Sequence, residues 1–125
     1  MSNPAKGRSP ARTISTAITR LTRDHYGRGA TRTKTIINGD YVLVFLEDIY
    51  TPVEKTLIEA GRPEVVSETR QVFQQAMRRM FSDAVEQVMG RKVVAFMSQV
   101  HMDPDMSAEI FVLEPEGTPS DDLAD

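Results

Sequence analysis

Few side chains in this sequence are spaced for chemistry. His101-x-Asp103-x-Asp105 gathers an imidazole and two carboxylates within five residues. Alternation along an extended chain would set all three on one side, a partial ligand set for a divalent cation. No second cluster completes the set, and Pro104 in a connecting turn gives the aspartates a turn-capping role. No metal and no cofactor are therefore expected. Glu47 and Asp48 are adjacent at the end of an apolar run, so a strand would point them to opposite faces, the wrong geometry for a paired acid and base. His25 stands beside Tyr26 at the end of a helical stretch, where an imidazole serves as a C-terminal cap. Cysteine is absent, which removes thiolate metal sites, thiol nucleophiles and disulfides. No Ser–His–Asp or paired-acid arrangement emerges, so no catalytic residue is expected.

The best binding loop is Gly27-Arg28-Gly29, followed by Arg32 and Lys34. Backbone N–H groups freed by glycine, together with three cations, could hold a phosphate or carboxylate. The loop lacks the Gly-Lys-Ser/Thr ending and the strand-before, helix-after setting of a nucleotide-binding loop. Charge is uneven along the chain: residues 1–34 carry eight basic residues against one acid, and the remainder seven against seventeen. A basic head on an acidic body suits an anionic partner, or charge pairing within the fold. Nucleic acid is the less favoured partner, because Tyr26 is the only aromatic among the basic residues.

The elements that must position these groups follow from periodicity. Val66, Phe73, Met77, Met80, Ala84 and Val88 recur at three- to four-residue intervals, with a gap at Arg70, and Val72, Ala76, Phe81 and Val85 widen the stripe. This predicts one long helix from Pro63 to Met89, between Gly61 and Gly90, with Gln74 and Ser82 on its polar side. At about 1.5 Å per residue it would be on the order of 40 Å long, so one end projects or the helix kinks. A shorter helix is expected over Ala11–Tyr26, with Ile14, Ile18 and Leu21 on a narrow stripe. Thr51-Pro52-Val53-Glu54 reads as a capping box opening a third helix that stops at Gly61. Asn38-Gly39 lies between a β-branched run and Asp40–Leu46, the pattern of a two-residue hairpin. Lys92–Val100 and Ala108–Leu113 supply a second hairpin.

The order is helix, hairpin, short helix, long helix, hairpin: an α+β domain with a four-stranded, mainly antiparallel sheet packed on a long helix. Residues 11–115 form that domain. A disordered basic tail is expected over 1–10 and an acidic disordered tail over 116–125. The strands are apolar on both faces, so both need cover. The thin first helix cannot provide it, and a homodimer is expected, with Tyr41, Leu43, Phe45, Phe111 and Leu113 as interface residues. No apolar run has membrane-spanning length and no leader-like h-region opens the chain, so a cytoplasmic chain without membrane insertion is expected.

Longer segments carry a resemblance. Tyr26-Gly-Arg-Gly-Ala, Leu46-Glu-Asp-Ile-Tyr-Thr-Pro-Val-Glu-Lys-Thr-Leu, Val85-Glu-Gln-Val-Met-Gly-Arg-Lys-Val and Glu109-Ile-Phe-Val-Leu together resemble the MpsC family over about Ala11 to Pro115. Where that family commonly has glycine after Leu-Glu, this chain has Asp48. The resemblance implies a small accessory or regulatory domain beside bacterial membrane proteins that handle cations or bicarbonate, with membrane transport subunits as partners and a place at the inner face of the membrane. It implies no reaction. The reading is a non-enzymatic domain acting through protein contacts. The alternatives are a small-anion or nucleotide sensor using the Gly27–Gly29 loop, and nucleic-acid binding through the basic N-terminal region.

Overall fold

The computed structural model describes residues 9–117. Ser9 caps α1 (Pro10–Tyr26) by accepting the Arg12 N–H, and Gly27 ends it in the left-handed region. The first hairpin, β1 (Arg32–Asn38) and β2 (Tyr41–Glu47), turns at Asn38-Gly39. Thr51 and Glu54 form the reciprocal capping box that opens α2 (Pro52–Glu59). β3 (Val93–His101) and β4 (Met106–Leu113) form the second hairpin, and all pairs are antiparallel in the order β1-β2-β4-β3.

The expected long helix is divided at Met77 into α3 (Pro63–Ala76) and α4 (Arg78–Met89). Neither proline nor glycine lies at the break; Met77 flattens to φ −87°, ψ 0° and the helix resumes with Phe81 N–H donating to the Met77 carbonyl. A straight helix of this length would overrun a sheet only four strands wide, on the order of 19 Å. The break lets α3 lie on β3 while α4 packs against α1. It also rotates the buried stripe: Gln74 and Ser82, expected outside, are buried, whereas Val72 and Met80, expected inside, are exposed.

The core lies between these helices and one face of the sheet. Ile14, Ile18, Val42, Val44, Leu46, Phe81, Val85, Phe111 and Leu113 are all buried, and Phe96 stacks at a tilt on Phe111, ring centroids 5.2 Å apart. α1 is fastened to β1 by two hydroxyl pairs, Ser15–Thr35 and Thr19–Thr33, each at 2.7 Å.

The register corrects one part of the expected interface. Phe111 pairs with Val42, so Phe111 and Leu113 face the helices and are buried within the chain; Ile110 and Val112 take the outer face beside Leu43 and Tyr41. Adjacent strand residues point to opposite faces, and only the pairing of β2 with β4 decides which set joins which. The disordered tails expected over 1–10 and 116–125 fall largely on residues 1–8 and 118–125, which lie outside the described residues.

Gly39 sits at φ +61° in the first hairpin turn, a conformation that costs a side chain about 1–2 kcal/mol. Gly39→Ala is expected to lower unfolding free energy by about that amount in urea titration; unchanged stability would contradict the turn geometry.

Candidate functional site

Two features stand out from the ordinary core: a buried ion cluster among the helices and an apolar sheet face that no helix among the described residues covers. The cluster centres on Arg70, one turn after Val66 on the inward side of α3 and only 2% exposed. Its Nε and Nη2 donate to the two oxygens of Glu54 at 3.1 and 2.9 Å, and its Nη1 donates to Asp105 Oδ1 at 2.8 Å. The guanidinium also stacks 4.6 Å from the Tyr50 ring centroid. This planar, two-pronged pairing is what arginine supplies and lysine does not.

Each partner is held in turn. Glu54 Oε1 accepts the Thr51 N–H at 2.9 Å as part of the capping box, and the Tyr26 hydroxyl donates to Glu54 Oε2. Asp105 Oδ2 accepts the N–H groups of Ile49 and Tyr50, both at 2.6 Å. Burial raises the Glu54 carboxyl, but hydrogen bonds from Arg70, Tyr26 and Thr51 outweigh it and hold the group below its ordinary range. Burial likewise works against the Arg70 cation, and its two carboxylates overcome it and keep it charged. Tyr26 is held protonated by burial and by Glu54.

Beside the cluster, a cavity of about 20 Å³ is lined by Arg70, Tyr26, Phe73, Phe81, Gln74 and Glu109, among others. That is room for about one water molecule, not for a cofactor. Glu109 is 1% exposed. Its Oε2 accepts from Gln74 Nε2 at 3.0 Å and from Ser107 Oγ at 3.2 Å, whereas Oε1 has no partner. Burial pushes this carboxyl up to about 7, against the pull of Ser98 and Ser107. Neither Arg70 nor Glu109 was legible as a site residue, although each is a charged residue at a core position of its element. An ionisable residue interrupting an apolar stripe is the signal that could have found them.

The sequence candidates are distributed differently. Asp105 turns inward to Arg70, while His101 Nδ1 lies 2.9 Å from the Pro104 carbonyl and Asp103 is exposed, so the three are not gathered on one point. Among the described residues no group of three or more His, Asp or Glu side chains could hold a metal ion. Gly27 caps α1, and Gly29 passes so close to Thr19 that a Cβ would meet its carbonyl oxygen at 3.3 Å. Arg28 is engaged by the Asp48 carboxylate at 3.1 Å, which also accepts from Thr31, and Asp48 itself sits at φ +60°. Aspartate tolerates this left-handed position, and here its side chain ties down the loop. Hydrogen bonds from Thr31, then the Arg28 charge, lower the Asp48 carboxyl. Arg32 faces Glu47 at 3.8 Å, and Lys34 alone of the three cations has no ion-pair partner among the described residues.

Tyr41, Leu43 and Phe45 do lie on the outer face. Ile36, Leu43, Ile110 and Met97 make one row across all four strands; Tyr41, Val112 and Ala95 flank it on one side, and Phe45 and Ala108, between Lys34 and Gln99, on the other. Tyr41 and Met97 are half exposed. At ordinary strand spacing these rows cover on the order of 400 Å² in plan, within the size of a functional surface patch. Arg32, Glu47 and His101 border one end and Asn38 the other, an apolar centre with a polar rim.

The family model for MpsC, described as a Na+-translocating membrane potential-generating system, matches residues 8–115 of the chain. Comparison with curated proteins and with solved structures finds no match. No helix among the described residues is long and apolar enough to cross a membrane.

Removing the Arg70 cation would strand two buried carboxylates, so Arg70→Ala is expected to lose about 3–5 kcal/mol of stability in chemical denaturation; a loss under 1 kcal/mol would contradict its role. Glu109 titrates higher folded than unfolded. Its contribution is therefore fully present below the unfolded value of about 4.5 and lost as pH rises toward 7, by up to about 1.4 kcal/mol per pH unit. Glu109→Gln, which mimics the protonated form, is expected to flatten that slope; an unchanged slope would show that Glu109 does not cause it.

Proposed function

The chain belongs to the MpsC family, and from that premise we propose that it is a non-enzymatic accessory or regulatory domain, working through protein contacts at the periphery of a membrane system for cations or bicarbonate. Its first contact is with itself: the outer sheet face pairs with the same face of a second copy. The observation that carries this reading is the row Ile36–Leu43–Ile110–Met97, apolar across the full sheet and covered by no element among the described residues. An antiparallel sheet left alone in water normally shows polar residues on its wet face. The central row of this face carries no charge; at its border the Arg32 and Glu47 side chains offset one another, and Lys34, opposite Phe45, has no ion-pair partner among the described residues. A self-similar surface with an uncharged centre suits a copy of itself better than it suits a strongly charged partner, and two sheets can stack at about 10 Å with their side chains interdigitated.

The chain has no membrane-crossing helix among its described residues, so in the setting of its family it would act on the proteins that carry ions rather than provide the path. The ion cluster has a supporting part. By clamping α2 and α3 to the β3–β4 turn, it holds these helices on one side of the sheet and leaves the other side open.

Multi-angle light scattering on the full chain tests the self-pairing. A dimer is expected at micromolar concentrations, and Tyr41→Lys with Met97→Lys, both at half-exposed positions, is expected to convert it to a folded monomer. A wild-type monomer throughout the micromolar range, or a dimer indifferent to both substitutions, would overturn the proposal.

A further inference from the structure

The two edges of the sheet are guarded very differently. On β1 the side chains of Arg32 and Lys34 stand along the edge, and α1 hydroxyls bind Thr33 and Thr35. Charges of this kind are the usual defence of an edge strand. β3, the opposite edge, carries no charged residue from Val93 to Val100. Its register slips between Val93 and Ala95, and the displaced Val94 is 58% exposed. At its start, the Val93 N–H is taken by Glu86 at 2.8 Å and the Lys92 carbonyl by the Glu114 N–H at 2.8 Å. From Val94 to Val100 the backbone has hydrogen-bonding partners on β4 only, among the described residues. Half the backbone groups of such a strand face away from its sheet.

Alongside this edge, where α3 breaks into α4, runs a groove of about 520 Å³ between Val93–Phe96 and the helices. The cations are here, on the wall rather than on the strand. Arg78 and Lys92 have no ion-pair partner among the described residues, and Arg79 has only an exposed contact with Asp83 at 3.8 Å. Glu86, the acid in the groove, is occupied by the Val93 N–H.

We infer that the β3 edge takes an extended acidic segment of a partner protein as a fifth strand. An added strand alternates its side chains between the two faces of the sheet. Those pointing to the helix side would meet Arg78, Arg79 and Lys92, which calls for aspartate or glutamate. Those pointing to the outer side would continue the surface of Ala95 and Met97, which calls for apolar residues. The recognised segment therefore alternates acidic and apolar residues, with backbone hydrogen bonds along β3 supplying the attachment and the cations the selectivity. The site lies on the edge and not on the outer face, so it is open whether or not two copies pair.

The test is fluorescence anisotropy with the full chain and a labelled synthetic peptide of alternating valine and glutamate. Saturable binding is expected. It should weaken at least tenfold with Arg78→Glu plus Arg79→Glu, both at exposed positions, and with a probe methylated at alternate backbone nitrogens, which cannot pair as a strand. It should persist with Arg20→Glu plus Arg23→Glu, a control for general basicity. Absence of saturable binding, full binding of the methylated probe, or loss of binding in the Arg20/Arg23 control would each overturn the inference.

Discussion

The fold depends on one buried cation. Arg70 is almost wholly removed from water, a position that a charged group holds only when paired and hydrogen-bonded. Its two carboxylates come from segments far apart in sequence: Glu54 from the first turn of α2 and Asp105 from the β3–β4 turn. Each carboxylate has a second duty that fixes its place, Glu54 in the capping box and Asp105 on the backbone leading into α2. Because Tyr26 adds α1 to the same cluster, the helices are located relative to the hairpins by directional bonds as well as by apolar packing. Such a pair contributes little net stability over an apolar substitute, but losing one member is costly. Its effect is to select one arrangement of helices over the sheet.

That arrangement has a consequence on the far side. The helices gather on the face formed by Val42, Val44, Leu46, Phe111 and Leu113, and the other face keeps Ile36, Tyr41, Leu43 and Met97 toward solvent. One side of the sheet is thus locked by charge and the other is left apolar and unpartnered. The second edge repeats the asymmetry: β1 displays its cations, whereas the cations near β3 stand back on α4 and the loop that precedes the strand. The surfaces least protected against other chains are those we assign to contacts.

The hairpins, the capping box and the helix ends at Gly27 and Gly90 were legible because their signals are local. Asn-Gly, Thr-Pro-x-Glu and a terminal glycine each impose a backbone conformation over a few residues. The division at Met77 was not legible, since no residue there breaks a helix on its own and the cause is the width of the sheet beneath. Strand alternation gave two faces for β2 and two for β4, but their pairing comes from register, which misplaced Phe111 and Leu113. Arg70 was read as a gap in an apolar stripe and Gln74 as surface. Their partners Glu54, Asp105 and Glu109 are 16 to 35 residues away, beyond any local pattern. Asp48 was not legible as a left-handed position either, since it follows the strand as an ordinary aspartate and only the structure shows its φ of +60°.

The most direct measurement of the central claim, that the open sheet face is the working surface, is hydroxyl-radical footprinting of the full chain across a dilution series. Tyr41 and Met97 report on the face, and Met80 and Val72 on the helical side serve as internal controls of similar exposure. Labelling of Tyr41 and Met97 is expected to fall as concentration rises, while that of Met80 and Val72 stays constant. Equal labelling of all four at every concentration, or protection of the helical pair instead, would contradict it.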